Sequence, residues 1–296
     1  MSQEPAITQE LGIGEVISTT LDYYWRAFAK YLILYLVVEA IIGVITTVAR
    51  QAIKIPMVPA NATSSQIANW APQFIGAVFG LVAVVFVVAI VFAPVAYGAT
   101  IKMASESIQN QPVDLGGAVG FAVSRLLWLW GVSIVIGILI LVGSILIVPG
   151  IILAIMFSLA IPAVIIEKAG FESLGRSRKL VSNRWLKTFV IALVFGIGIV
   201  IVSVIISLVA SPFGVASTLI SSVLSAFYLP VIPIALTVYY YSNVARITPP
   251  SPASAPTSYG VPPPPPEPVL RFCSSCGTQL TATAQFCPNC GAKQPA

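Results

Sequence analysis

Six stretches of the chain, at about 29–49, 75–101, 126–148, 150–167, 188–210 and 218–242, are apolar over lengths at or near the roughly 20 helical residues that cross a bilayer core. Inside hydrocarbon a backbone must satisfy its own N–H and C=O groups, so such runs predict α-helices. A soluble core does not account for them. Only 25 of 296 residues are charged, 8%, where soluble domains carry about 25%. The mean hydropathy is +0.96. The third and fourth runs meet at Pro149-Gly150, a turn signal, and together are too long for one crossing. They predict a tight hairpin.

With six crossings both termini lie on one side. That side receives thirteen basic residues, and the other receives only Arg50 and Lys54. The positive-inside rule then predicts cytoplasmic termini in the plasma membrane. Trp25, Trp128, Trp130, Trp185 and Tyr239-Tyr240-Tyr241 fall at the cytoplasmic ends, where interfacial aromatics are expected. Glu4, Glu10, Glu15 and Asp22 near the start, with no basic n-region, argue against a signal peptide. The external loop, about 50–74, holds Asn61-Ala-Thr63, a glycosylation tripeptide that short sequences also produce by chance.

Three fifteen-residue segments, 11–25, 114–128 and 171–185, each end on tryptophan and lead into an odd-numbered crossing. The even-numbered crossings carry Pro94, Pro162, and Pro230 with Pro233. This pattern predicts an all-α polytopic membrane protein built as a three-fold repeat of an amphipathic interfacial helix and a transmembrane hairpin. In the first segment Ile13, Val16, Ile17, Leu21 and Tyr24 share one helical face. In the third, Phe171, Leu174, Val181 and Trp185 do so. Arg176, Arg178, Lys179, Arg184 and Lys187 are therefore candidate contacts for anionic lipid headgroups. Gly76 and Gly80 have the spacing of a close helix contact.

Glu39 lies mid-way along the first crossing, where a carboxylate costs at least about 2.5 kcal/mol. It marks either a polar site in the bundle or a protonated, hydrogen-bonded side chain. Histidine is absent, which removes the commonest general base, and no carboxylates pair within the membrane. The chain reads as a non-enzyme.

After the membrane domain, residues 1–246, comes a proline-rich linker, 247–270, with ten prolines; it predicts a stiff spacer of about 3.1 Å per residue. Residues 271–296 hold all four cysteines, as Cys273-Ser-Ser-Cys276 and Cys287-Pro-Asn-Cys290, each followed by glycine. Two such knuckles, brought face to face by a β-hairpin through 278–285, offer four thiolates and no open position. That describes one structural zinc ion, although iron takes the same ligands. A cytoplasmic location argues against disulfides. A redox pair would need an α/β domain for which no residues remain. Metal binding and folding are then coupled in a segment this small.

The segment "FCSSCGTQLTATAQFCPNCGAK" resembles the short zinc ribbons of prokaryotic, especially archaeal, membrane and regulatory proteins. The loop "EKAGFESLGRSRKLVSNRWLKTF" (167–189), with "GEVISTTLDYYWRAFAKYLIL" upstream, resembles the integral membrane domain associated with glycerophosphodiester phosphodiesterases. That resemblance implies membrane architecture over roughly residues 10–245. It implies no hydrolysis, since the histidine-bearing catalytic domain is missing. Two functions follow as expectations: a scaffold presenting the ribbon to a cytoplasmic protein partner, or a transporter, channel or lipid-handling bundle using a polar cavity near Glu39. Nucleic acid is not an expected partner, because aromatics do not interleave with a basic stripe; homo-oligomers are left open.

Overall fold

The computed structural model describes residues 6–58, 61–248, 271–272, 275–280, 286 and 289–293. The chain separates into two compact units, Met1–Pro249 and Pro250–Ala296. Most of the proline-rich linker, 249–270, lies outside the described residues.

The first unit is helical throughout. Its elements are α1 (Ile13–Arg26), α2 (Phe28–Ala52), α3 (Ser64–Ile108), α4 (Leu115–Ser124), α5 (Leu126–Ser144), α6 (Val148–Met156), α7 (Ala160–Ile166), α8 (Glu172–Val181), α9 (Trp185–Ala210), a 3-10 turn (Ser211–Ala216), α10 (Ser217–Ser225) and α11 (Val231–Ile247). Among the described residues, five segments are long and apolar enough to cross a membrane: α2, α3, α5, α6 with α7, and α9 with the start of the turn after it. The sixth apolar run does not form one helix. It breaks at 226–230 into α10 and α11, of 9 and 17 residues, and Pro230, which has no N–H to donate, sits at the start of α11.

Helix α3 is longer than the apolar run it contains. Thr63 caps its start, accepting from Gln66 N–H while Gln66 Oε1 accepts from Thr63 N–H. Its 45 residues extend about 67 Å. Most of the expected external loop is therefore helix, and Thr63 has a capping role of its own. A Cβ on Gly76 would meet nothing among the described residues within 4 Å, and one on Gly80 would meet only Ile53 Cδ1 at an ordinary 3.5 Å, so neither makes a close helix contact. By contrast, a Cβ on Gly150 would lie 2.8 Å from the Ser144 backbone, so glycine is what lets α5 and α6 fold back on each other. The turn falls at 145–147, just before the expected Pro149-Gly150; Ile147 takes φ +54°, and Pro149 lies in the first turn of α6, where its missing N–H costs nothing.

Helices α3, α7 and α11 pack together at the centre. Ala96, Ala99 and Met103 of α3 meet Ala163 of α7 and Ile234 and Val238 of α11, all buried. Small side chains allow backbones this close. The three short helices each cover one of these: α1 on α11, α4 on α3, α8 on α7. Much of the outward surface is apolar, including Ile134, Ile138 and Leu141 of α5 and Val200, Val204 and Leu208 of α9. Water does not tolerate a continuous surface of this kind, whereas lipid does.

Trp25, Trp128 and Trp185 are exposed, as interfacial residues should be. The tyrosine triplet departs from that expectation, for Tyr239, Tyr240 and Tyr241 are buried in the core. In α1 the buried face is Val16, Thr20, Tyr23 and Tyr24, while Leu21 points outward.

Candidate metal centre and hydroxyl-lined cavity

In the second unit, β1 (Arg271–Phe272) and β2 (Gln279–Leu280) pair antiparallel, with Phe272 opposite Gln279. Phe286 pairs with Lys293 in the same way. Each phenylalanine precedes a Cys-x-x-Cys knuckle and pairs with the residue seven positions on, so the chain folds back across each knuckle. The hairpin expected through 278–285, from one knuckle to the other, falls largely on residues 281–285, which lie outside the described residues. Gly277 and Gly291 have φ of +71° and +73°, the left-handed turn that glycine takes without strain. Asn289 of the second knuckle donates to Thr278 Oγ1 of the first at 3.1 Å, and its Nδ2 lies 3.9 Å from Cys276 Sγ. Amide contacts of this kind suit a thiolate. Cys276 and Cys290 are exposed; Cys273 and Cys287 lie outside the described residues.

In the first unit the candidate basic residues divide. Arg184 binds Glu10 through two bonds, Nε to Oε1 at 2.7 Å and a second guanidinium nitrogen to Oε2 at 2.9 Å. Lys187 Nζ joins the same carboxylate at 2.6 Å. The Arg184 bond, with Lys187, holds the Glu10 carboxyl down from 4.5 to about 2. Arg176 pairs with Glu167 at 2.7 Å, and Tyr240 donates to the same oxygen. Three of the five headgroup candidates are thus engaged within the protein. Arg178 and Lys179 face outward.

Glu39 is half-buried on α2. Its face of α2 runs along α10 in reverse order. Glu39 Oε2 lies 3.5 Å from Ser225 Oγ, Gly43 lies against Ser222, and Arg50 donates to Thr218 Oγ1 at 3.2 Å. A Cβ on Gly43 would come within 2.9 Å of Ser222 Oγ. Beside this seam is a cavity of about 430 Å³. Helix α9 and its end contribute Ser203, Ser207 and Ser211, spaced every four residues on one face. Helix α10 contributes Ser217, Ser221 and Ser225 at the same spacing, with Thr218 and Ser222 beside them. Tyr228 and the exposed Arg50, the one charged residue of the lining, complete it. A second cavity of about 430 Å³, among Tyr97, Phe157, Ile161, Phe195 and Leu236, is chiefly apolar.

The hydroxyl cavity was readable in "SVIISLVAS" (203–211) and "STLISSVLS" (217–225), where hydroxyls recur at i, i+4 and i+8. Counting charges alone passes over it.

A zinc-ribbon domain profile matches residues 272–294. No curated protein and no solved structure matches the chain.

Proposed function

We propose that this chain is a non-enzymatic integral membrane protein that presents a cytoplasmic zinc ribbon, on a proline-rich tether, to a protein partner. The observation that carries the reading is the pair of knuckles in one register, each with its left-handed glycine, in a unit separate from the helices. Cys273, Cys276, Cys287 and Cys290 would hold the ion, whose chemistry is structural: it ties two turns that have too little apolar surface to fold without it. The chain's own contribution is to set those turns by glycine and by the Asn289–Thr278 bond.

In this reading α10 and α11 together make a sixth, broken crossing, and both termini lie in the cytoplasm of the plasma membrane. The strong excess of basic residues on one side supports that orientation. Support for three hairpin units comes from α1, α4 and α8, which each run into a long helix and each cover one central helix. The resemblance to the membrane part of glycerophosphodiester phosphodiesterases rests on the 167–189 loop with the upstream segment 14–34. Arg178 and Lys179 are the residues left to meet anionic headgroups.

Co-purification from solubilised membranes, with and without residues 271–296, tests the role. The ribbon should account for at least one partner, lost also in a Cys276→Ser, Cys290→Ser chain. An identical partner set would overturn the proposal. The hydroxyl cavity favours a second function beside the first, in which the bundle binds or passes a polar solute.

A further inference from the structure

We infer that the hydroxyl-lined cavity beside α9 and α10 binds a phosphate group, held by the Arg50 guanidinium together with the hydroxyl protons of Ser207, Ser217, Thr218 and Ser221. The inference deepens the second function above and rests on it. Arg50 is the one charged residue of the lining, and no carboxylate pairs with it among the described residues. Its Nη1 donates to Thr218 Oγ1 at 3.2 Å, which sets the side chain against α10 and leaves the other guanidinium protons unspent. Glu39 lies eleven residues back along α2, about 16 Å, and is not part of the lining. The fixed charge of the cavity wall is positive.

The hydroxyl protons agree with that sign. Ser203, Ser211 and Ser225 donate back to carbonyls of the preceding turn at 2.7–2.9 Å, so their protons are committed. Ser207, Ser217, Ser221 and Ser222 form no side-chain hydrogen bond among the described residues, and Thr218 only accepts. The uncommitted protons on α10 all lie within about one turn of the Thr218 that holds Arg50. A cation entering here meets a guanidinium and a set of donors, whereas an anion is drawn to both. The planar fork of arginine matches two oxygens of a phosphate group, and the remaining phosphate oxygen accepts from the hydroxyls. The volume of about 430 Å³ holds such a group with several waters of about 30 Å³ each. Arg50 is two residues from the end of the 25-residue α2, where a crossing helix reaches the headgroup layer. The phosphate can therefore belong to a lipid headgroup or arrive free from solution, and the same donors recognise either.

The test uses the full chain, zinc-loaded, in micelles of a non-ionic detergent, with two probes read by proximity scintillation. One is radioactive inorganic phosphate. The other is radiolabelled dihexanoyl phosphatidylglycerol, with unlabelled dihexanoylglycerol as the competitor that lacks phosphate. Saturable binding of either probe or both, undisturbed by that competitor, supports the site, and the tighter probe names the source. Arg50→Gln should weaken binding by at least about tenfold and Ser221→Ala by about threefold. Arg50→Lys, which keeps the charge and loses the fork, should recover part of the loss. Lys54→Gln removes an equal charge outside the lining and should change binding by less than about twofold. No saturable signal for either probe in the parent chain overturns the inference, and so does an Arg50→Gln chain that binds normally. An equal loss in Lys54→Gln overturns it in favour of diffuse attraction. If Arg50→Gln does not fold, Ser221→Ala decides, and normal binding by that variant overturns the inference. Ser207→Cys and Ser221→Cys chains separate this failure from that of the underlying reading. Labelling by an impermeant thiol reagent above the parent level, with neither probe bound, rejects the phosphate group alone, whereas absence of both rejects the polar cavity as well.

Discussion

Two polar regions of the helical unit are built on opposite principles. In one, side chains from distant parts of the sequence meet fixed partners: Glu10 with Arg184 and Lys187, Glu167 with Arg176 and Tyr240, Thr188 with Tyr239, Ser105 with Tyr241. In the other, Ser203 of α9 and Ser225 of α10 donate back to their own helices, and the Glu39 carboxyl lies 3.5 Å from Ser225 Oγ with no closer polar partner among the described residues. Apolar surroundings make a polar group costly unless it is paired, so pairing identifies structural groups. Glu39 is held by one long contact, whereas Glu10 and Glu167 each have at least two partners.

The comparison predicts opposite responses to removing the two carboxylates. Glu167→Ala strips a partner from both Arg176 and the buried Tyr240 and should destabilise the bundle by about 1–3 kcal/mol. Thermal unfolding of the purified protein in micelles measures this, and Tyr240→Phe should lose less, because Arg176 keeps its pair. A Glu167→Ala chain within about 0.5 kcal/mol of the parent would break the comparison on its structural side.

Glu39→Gln removes charge without breaking a strong bond. In micelles it should leave stability unchanged or raise it by about 1 kcal/mol, since the amide places no ionisable group in the bundle. A loss as large as that of Glu167→Ala would show that Glu39 is a structural partner instead.

What the sequence made legible follows the same division. Local physics wrote the apolar runs and the two cysteine knuckles, and it marked the hairpin between α5 and α6 to within a few residues, expected at Pro149-Gly150 and found at 145–147. Each signal lies within a few residues. Partners chosen by tertiary packing were not legible. Nothing near Glu10 announces Arg184, 174 positions away, and Tyr239–Tyr241 look interfacial until α3, α8 and α9 are seen to surround them. The split of 218–242 was hidden for a related reason. Its residues are uniformly apolar or hydroxylic, and back-bonded hydroxyls suit an intact helix as well as a broken one.

The Glu10 cluster gives the smallest effect and the sharpest sign. Its carboxyl is held at about 2 in the folded chain, below its usual 4.5, chiefly by the Arg184 bond. A group depressed on folding contributes stability that is fully present above the unfolded value. That contribution fades as pH falls from about 4.5 through about 2. Because Glu10 is only half-buried, solvent screening keeps the contribution small. Glu10→Gln should therefore lower the unfolding temperature slightly at pH 7, and the difference from the parent should narrow as the pH drops through that window. Added salt should narrow it as well, because exposed pairs are screened. If the gap between parent and variant instead widened on acidification, Glu10 would not be the anion that fastens the segment before α1 to α9, and the fixed-partner half of the comparison would lose its most exposed member.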